Sequence, residues 1–315
     1  RRRSRGGVGA FLLRRTAAGI ATLLVVTIVT FLALNVLPGN VASVVLGKNA
    51  TPDQVHLLEQ KLGLGRSVPA RYLDWLGGVL HGDLGASSIA AAQGLPDASL
   101  WPQIQDPLKN TVILAALTIL LLTPLSLVIG VLAARYEDRA PDHAISVLTL
   151  IFISLPEFVV GSLLVIAFFS WLHLLPPVVL VPPGGNPLES PKALILPIAT
   201  LALTSLAWTA RLVRVGMVEV LRSDWVRSSR LNGHPERRLV WRDGLRNGLA
   251  PSIQVFALTT QYLVGGVIVT EAVFSYPGVG TYLVHAVLVR DVTAVQSITL
   301  IVAGAYILIN ILADL

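Results

Sequence analysis

Six long apolar stretches constrain this chain more than any other feature of its sequence. Each approaches the roughly 20 residues that a helix needs to cross the ~30 Å hydrocarbon core of a bilayer. The runs are unbroken and lack the alternation of membrane β-barrel strands, so helices are expected. They cover Thr16–Leu37, Thr111–Ala134, Ala144–Leu172, Ala193–Ala210, Pro251–Val273 and Gln296–Leu312, and the fourth can extend towards Leu221. The sequence therefore predicts an all-α integral membrane protein with six transmembrane helices.

Composition agrees with this fold class. Of the 315 residues, 54% are hydrophobic and 13% are charged, and the mean hydropathy is +0.71, which most of a water-exposed surface cannot accommodate. The chain has no cysteine, which excludes disulfides, thiolate metal sites and cysteine nucleophiles.

The distribution of Lys and Arg predicts the orientation of the chain. Of the 24 basic residues, seventeen lie in the N-terminal segment and in the second and fourth loops, and seven lie in the other loops. Cytoplasmic loops carry the positive excess, so both termini and the fourth loop are predicted to be cytoplasmic. The net charge of +6 is then mainly a topology signal, and nucleic acid is not an expected partner.

The segment 38–109 after the first span is too long for a simple connector and carries its own helix signals. Thr51, Pro52 and Gln54 form a capping box that starts a helix expected to stop at Gly63. A second helix is expected from Pro69 to Leu80, with one apolar face formed by Tyr72, Trp75, Leu76, Val79 and Leu80. On these grounds the segment is either a small lid or docking platform, or a structural plug.

Polar residues inside the spans are the candidates for a transport path. Glu157 lies about midway along the third span, directly after Pro156, and an ionisable group at that depth is a functional candidate because it is costly. It either pairs with a passing ammonium group or is a protonated, internally bonded residue. Pro124, Pro156 and Pro197 are each expected to kink their spans. A wet conduit or simple interhelical bonding explains the polar residues of spans four and five equally well: Thr200, Thr204, Ser205, Trp208, Gln254, Thr259, Thr260, Gln261 and Tyr262.

Gly265 and Gly266 in the fifth span are expected to allow a second helix to approach closely.

The most distinctive string is the basic loop, residues 223–247, which lies between two apolar spans with a glycine at its centre. It resembles the ATPase-docking motif of ABC importer permeases, in which an EAA triplet precedes a glycine and a short apolar tail. Only the glycine and Leu245 match that generic pattern, and the whole string is more similar to the divergent dipeptide and oligopeptide permease subfamily. The triplet falls on Arg227, Ser228 and Ser229, the glycine on Gly233, and the tail on Asp243, Leu245 and Arg246.

Further motifs carry the same resemblance over nearly the whole chain. The string GDLGxS at 82–87, with Asp83 and Gly85, looks like the part of this family that forms an extracytoplasmic scoop, here residues 38–109. The signature from Glu271 to Gly280, followed by Arg290 and Asp291, is also similar, and Phe274 and Tyr276 are expected to anchor it at the membrane interface. The motifs LPGN at 37–40 and SLPEFVVG at 154–161 complete the match.

This resemblance implies a type I ABC importer permease fold, with residues 1–315 as one transmembrane domain in a bacterial inner membrane. It also implies a second homologous permease subunit, two ABC ATPase subunits that bind ATP and Mg, an extracytoplasmic substrate-binding protein and a peptide substrate. The basic loop would dock the ATPases and transmit their closure to the spans. A nickel-importing permease of the same superfamily is the nearest alternative.

Enzymatic readings find little support in the sequence. A GxxxxGK[ST] loop is absent, so the chain has no phosphate-binding loop for ATP hydrolysis. The six histidines are scattered without an HExxH pattern, and no GxSxG motif occurs. We therefore expect no metal, cofactor or catalytic residue in the chain, and an intramembrane hydrolase that uses Glu157 would lack a partner acid or base.

Overall fold

A computed structural model describes residues 5–36, 42, 46, 51–61, 63, 65–94, 98–182 and 184–313. Its described side chains begin at residue 9 and exclude those of 61, 248–258, 261 and 313. Within these residues the secondary structure is helical, apart from one isolated bridge between Ala86 and Ser99. The all-α prediction is confirmed.

The helices follow one another closely along the chain. In order they are α1 (Arg5–Val36), α2 (Pro52–Lys61), α3 (Val68–Leu80), α4 (Ser88–Ala92), α5 (Leu100–Arg135), α6 (Ala140–Ser154), α7 (Glu157–Val165), α8 (Pro191–Leu221), α9 (Asp224–Leu231), α10 (Glu236–Arg238), α11 (Leu245–Val273), α12 (Val279–Leu288) and α13 (Val292–Ala313). Two π-helical turns, Ile166–Trp171 and Leu239–Gly244, extend α7 and join α10 to α11, and a short 3-10 turn covers Pro187–Glu189.

The membrane-crossing helices match the predicted spans only in part. Among the described residues, four helices are long and apolar enough to cross a bilayer, and α6 with α7 forms a fifth candidate as a bent pair. Helix α11 has 29 residues, and its stretch Tyr262–Val273 is apolar. The chain is a multi-pass membrane protein, and the number of six spans stays a prediction.

The third predicted span is broken and not merely kinked. Pro156 caps α7, and the axes of α6 and α7 meet at an angle of 103°. The residue before a proline is driven out of the helical region, and Leu155 accordingly has an extended backbone with ψ 130°. Pro124 and Pro197, in contrast, lie within the continuous helices α5 and α8. Glu157 is thus the first residue of a helix and does not lie inside a continuous span.

The chain divides into two compact units, of which the first comprises residues 1–109 and 278–311. Its buried core is formed by the start of α5 with α12 and α13, through Leu100, Ile104, Val279, Ala286, Ala294, Val295 and Ile298. Helix α3 joins this unit through Trp75, whose indole N–H donates to Ser297 Oγ at 3.1 Å, and through Tyr72, whose hydroxyl lies 2.9 Å from that of Thr27. Leu80, which was expected on the same apolar face, is 79% exposed.

The helix signals of the first loop are confirmed. Thr51 Oγ1 accepts from the Gln54 N–H at 3.4 Å, and Gln54 Oε1 accepts from the Thr51 N–H at 3.0 Å, which completes the capping box. Helix α2 ends at Lys61, and Gly63 follows with φ +67°. The LPGN motif at 37–40 lies outside the described residues.

The second unit comprises residues 110–277 and 312–315. Phe274 and Tyr276 are fully buried in its core, among residues of α5, α8 and α11. The expectation that they anchor the chain at the membrane interface is wrong. Tyr276 can be buried because its hydroxyl donates to the Asn110 carbonyl at 2.7 Å, and Asn110 Nδ2 donates to the Pro277 carbonyl at 2.8 Å.

Candidate functional site: the basic loop and the Glu157 contact

The basic loop begins with a short helix, α9, that is anchored by one apolar residue. Ser223 precedes it in extended conformation, and Asp224 in the first turn complements the helix dipole. Val226 is fully buried, whereas Trp225 and Leu231 are 41% and 83% exposed. The helix therefore presents large apolar side chains to its surroundings.

Gly233 ends this helix with a turn that requires a left-handed backbone. Its φ is +80°, and a Cβ added there would meet no atom within 4 Å. The Gly233 and His234 N–H groups donate to the carbonyls of Arg230 and Ser229 at 3.0 and 3.1 Å, a pattern typical of helix C-termini. Within this chain, then, glycine is needed for its backbone conformation and not for close packing.

An ion pair closes the turn. Arg230 Nε and Nη2 donate to the two carboxylate oxygens of Glu236 at 3.0 and 2.8 Å. This hydrogen bonding lowers the pKa of the Glu236 carboxyl below its ordinary value. A second bidentate pair joins Arg222 to Glu137, at 3.2 and 3.0 Å, and ties the end of α8, directly before the basic loop, to the turn after α5. Bidentate pairs fix geometry as well as contributing energy.

The distal part of the basic loop packs into the protein. Val240 lies in a buried cluster with residues from the ends of α5 and α8, and Leu245 packs against it. Gly244 is required at the π-helical turn, because an added Cβ would lie 2.6 Å from the Leu239 carbonyl oxygen. The basic loop thus continues into α11 through packed residues and not through a free linker.

The predicted coupling residues lie before and after the buried cluster around Val240 in the sequence. Arg227, Ser228, Gly233 and Arg246 are exposed, Ser229 is partly exposed, and Leu245 is half-buried against the anchoring cluster.

A buried ion pair next to the basic loop was not predicted. Asp142, only 2% exposed, accepts hydrogen bonds from Arg214 Nε and Nη2, both at 2.6 Å. It also accepts from the Asp138 N–H at 3.0 Å. The pair fastens the start of α6 to the last turns of α8. An acid and a base 72 residues apart give no local signal of pairing.

The carboxylate of Glu157 occupies the space left by a glycine on α11. A Cβ added to Gly266 would overlap both carboxylate oxygens, whereas one added to Gly265 would meet nothing within 4 Å. The close approach expected of this glycine pair is therefore made by Gly266 alone. Glu157 also starts α7, where the helix dipole favours a negative charge.

Two hydroxyl groups, those of Thr204 and Tyr262, lie beside the Glu157 carboxylate. Thr204 Oγ1 donates to the backbone carbonyl of Thr200 at 3.1 Å, and Tyr262 is 53% exposed. Glu157 Oε1 is buried without a hydrogen-bond partner in the described part of the chain. A carboxylate with an unfilled acceptor at this depth can accept a proton, a water or a ligand donor.

Several other polar residues of the predicted path bond within or between helices, whereas the hydroxyl of Ser205 is buried without a partner in the described part of the chain. Thr200 donates to a carbonyl of its own helix, and Thr209 lies 2.9 Å from Thr259, hydroxyl to hydroxyl, between α8 and α11. These are interhelical and back-bonding roles. Trp208 is 49% exposed. The side chains of Gln254 and Gln261 lie outside the described residues.

The predicted docking residues Asp83 and Gly85 shape a turn in the first unit. Asp83 Oδ1 accepts from the Gly85 N–H at 2.8 Å. Gly85 has φ +88°, and an added Cβ would lie 2.8 Å from Thr293 Cγ2. The motif continues to Ser87, whose hydroxyl donates to Asp291 Oδ2 at 2.5 Å. Two motifs more than 200 residues apart in the sequence therefore meet, which the sequence did not indicate.

The described helices form an α-helical multi-pass membrane protein, and among the described residues no cluster of His, Asp or Glu could hold a metal ion. Comparison with known proteins narrows this class. The family of binding-protein-dependent transport system inner membrane components matches residues 126–315, and the N-terminal component of such systems matches residues 8–115. The chain belongs to this family. It is therefore a membrane component of a transport system and not an enzyme.

Relatives are similar over almost the full chain. A probable peptide ABC transporter permease of Sinorhizobium fredii is 33% identical, over 98% of this chain and 96% of the relative. An oligopeptide transport system permease of Bacillus subtilis is 30% identical, over 98% and 96%. A glutathione transport system permease of Salmonella choleraesuis is 33% identical, over 96% and 95%. The family resemblance inferred from the motifs is confirmed.

Proposed function

We propose that this chain is the pore-forming permease subunit of an ATP-driven importer of dipeptides, oligopeptides or peptide-like cargo. The observation that carries the proposal is similarity to peptide permeases over 96% or more of the chain. Glutathione is itself a small peptide, so the relative that transports it fits the same cargo class. Nickel, the alternative considered from sequence, is not needed to account for these relatives.

The proposed topology has six spans, with both termini and the basic loop in the cytoplasm and segment 38–109 outside. The Lys and Arg distribution supports it. The capping box of α2 and the contacts of α3 support a folded segment 38–109 that meets the binding protein, with Asp83 and Gly85 in its docking region. The family, whose members are inner membrane components, supports a bacterial inner membrane as the location of the complex.

The proposed assembly contains a second homologous permease, two ABC ATPases that bind ATP and Mg, and an extracytoplasmic substrate-binding protein. An ATPase would seat on α9 and the Gly233 turn, and contact Arg227, Ser228, Ser229 and Arg246. Exposed Trp225 and Leu231 support this role, because large apolar side chains beside basic ones suit a protein interface. Leu245 would link the seat to the packed end of α8.

The proposed transport path passes the Glu157 contact. Tyr262 and the unfilled acceptor on Glu157 support it, and Gln254 and Gln261 on the same helix remain candidates. Closure of the ATPases would move the basic loop and, through the packed junction at Gly244, helix α11 with Gly266. Movement of Gly266 against Glu157 would then alter access to the path.

Reconstitution tests the proposal. The complex would be placed in liposomes with its binding protein, and ATP hydrolysis measured with di- and oligopeptides, glutathione or Ni²⁺ as the added cargo. Stimulation by peptides or glutathione and not by Ni²⁺ is the expected result. Stimulation by Ni²⁺ alone would overturn the cargo class.

A further inference from the structure

A groove in the second unit is lined almost entirely by apolar side chains of three membrane helices. Its volume is about 190 Å³, and its lining residues come from α5, α6 and α8: Ile129, Ile145, Leu148, Thr149, Phe152, Leu203, Leu206 and Ala207. The one hydroxyl among them, that of Thr149, donates to the Ser146 carbonyl at 2.9 Å. The groove therefore offers no polar group that would hold water.

The Asp142–Arg214 ion pair is a reference point for the position of this groove along α6 and α8. Because α6 and α8 share the groove and are joined at that pair, equal steps along each helix bring Ile145 level with Arg211 and Thr149 level with Ala207. The groove thus begins one turn beyond the ion pair and runs away from the basic loop. Arg211 stands at the end of the groove that is nearer the basic loop.

The charge at that end is positive. Arg211 is exposed, and it forms no ion pair within the described part of the chain, whereas Arg214 is neutralised by Asp142. Next to the groove residue Ala207, Trp208 is 49% exposed, and tryptophan favours the level of lipid headgroups. Along the sequence of α8, the groove residues are followed by Trp208 and then by Arg211. This order corresponds to the acyl chain, the interfacial region and the anionic headgroup of a phospholipid.

We propose that the groove binds one acyl chain of an anionic phospholipid, whose phosphate pairs with Arg211. Hydrocarbon surrounds these helices, and a cation beside a groove between transmembrane helices selects anionic headgroups. The lipid would belong to the leaflet on the side of the basic loop, and the assignment of that leaflet to the cytoplasmic side rests on the proposed function. By bridging α6 and α8, it would brace the helix that leads into the basic loop.

Lipid retention by the purified complex tests the proposal. Phosphatidylglycerol and phosphatidylcholine with identical acyl chains would be titrated into the detergent-solubilised complex, and bound lipid counted by native mass spectrometry. We expect phosphatidylglycerol to bind about fivefold more tightly, the equivalent of roughly one Arg–headgroup contact. Arg211→Gln should remove that preference, and Thr149→Phe, which fills the groove, should weaken the binding of both lipids.

Lys192→Gln is the matched control, because it makes the same kind of change at the opposite end of α8 and should preserve the preference. Equal binding of both lipids to the parent complex, or an unchanged preference in Arg211→Gln, would overturn the proposal. So would efficient disulfide formation between Thr149→Cys and a cysteine in the second permease, because a protein would then fill the groove. Peptide-stimulated ATP hydrolysis, measured separately, shows whether the proposed function stands regardless of this outcome.

Discussion

At the scale of single residues, Glu157 and Gly266 depend on each other's size. The carboxylate fills the place where a side chain at Gly266 would stand, while the neighbouring Gly265 faces open space. This pair offers a matched comparison of two adjacent glycines on one helix.

We expect Gly266→Ala to reduce peptide uptake by about tenfold or more, because overpacking costs about 1–3 kcal/mol and displaces Glu157. Gly265→Ala should leave uptake within about twofold of the parent. Uptake in proteoliposomes measures both, and adding Glu157→Ala to Gly266→Ala should restore assembly by relieving the overlap. Equal uptake by the two single variants would show that the contact is not used.

Removal of the Glu157 charge is a separate test of the path. Glu157→Gln keeps the size of the side chain, so assembly should be normal while uptake or substrate-stimulated ATP hydrolysis falls by about tenfold, or ~1.4 kcal/mol. A panel of peptides with free and blocked N-termini would show whether the loss follows the ammonium group. Unchanged uptake across the panel would make Glu157 a packed structural residue.

Glycine at position 233 can be required for its left-handed backbone or for the absence of a side chain, and two substitutions distinguish these requirements. The φ of Gly233, +80°, disfavours other residues, yet open space surrounds this position within the chain. A bulky side chain there would therefore contact only a partner protein, here the proposed ATPase. Gly233→Leu should uncouple ATP hydrolysis from uptake, while Gly233→Asn, which tolerates the left-handed conformation, should retain coupling if backbone shape alone matters.

Gly184→Leu is the control for this test, because Gly184 also has a positive φ, +73°, and open surroundings. We expect it to leave coupling intact. Normal coupling in Gly233→Leu, measured as peptide transported per ATP hydrolysed, would contradict the role given to the basic loop.

At the scale of elements, the Arg230–Glu236 pair holds α9 and α10 in their turn. Since the pair lowers the pKa of Glu236, its stabilisation is complete above the ordinary carboxyl pKa of about 4.5 and is lost as pH falls through the lowered value. Both side chains are 42% exposed, so the contribution is below about 1 kcal/mol.

Glu236→Gln should therefore raise amide hydrogen exchange in residues 224–238 at pH 7 by about two- to fivefold. The parent protein should show the same loosening only in acid. Arg238→Gln is the control, because its contact with Asp243 is longer, at 3.6 Å. An exchange rate in Glu236→Gln equal to that of the parent would show that the pair does not hold the turn.

Local sequence signals predicted the helices well but predicted the tertiary contacts between them poorly. The capping box at Thr51, the bounds of α3 and the extension of α8 to Leu221 all follow from nearby residues. The 103° break at Pro156 was underestimated, because a proline in an apolar run looks the same whether a helix bends or stops. Phe274 and Tyr276 were misplaced because burial of an aromatic residue depends on residues distant in the sequence, here the surrounding core and, for Tyr276, the carbonyl of Asn110. Gly266 was expected to allow a close approach, but the sequence did not indicate that Glu157 would be its neighbour.

At the scale of the whole molecule, sidedness underlies every proposed role. The chain has no cysteine, so single cysteines can be labelled without background. Gly94 lies in segment 38–109, which is predicted to be outside, but it has φ +73°, so the neighbouring exposed Gln93 is the better site. Gln93→Cys should react with an impermeant thiol reagent from outside, and His234→Cys only after the membrane is opened. The opposite pattern would reverse the predicted topology.

The contacts of the first unit also bear on how the protein is made. Trp75 is bonded to Ser297, and Ser87 to Asp291, so the early segment obtains these partners only when residues more than 200 positions later emerge from the ribosome. Until then the indole of Trp75 lacks its Ser297 partner, and the hydroxyl of Ser87 has only its local partner, the Ala90 N–H, so the nascent segment stays incompletely folded while the intervening residues are made. Nonsense or frameshift changes that remove the chain from α13 onward should therefore leave segment 51–94 open to proteolysis, although its own sequence is intact.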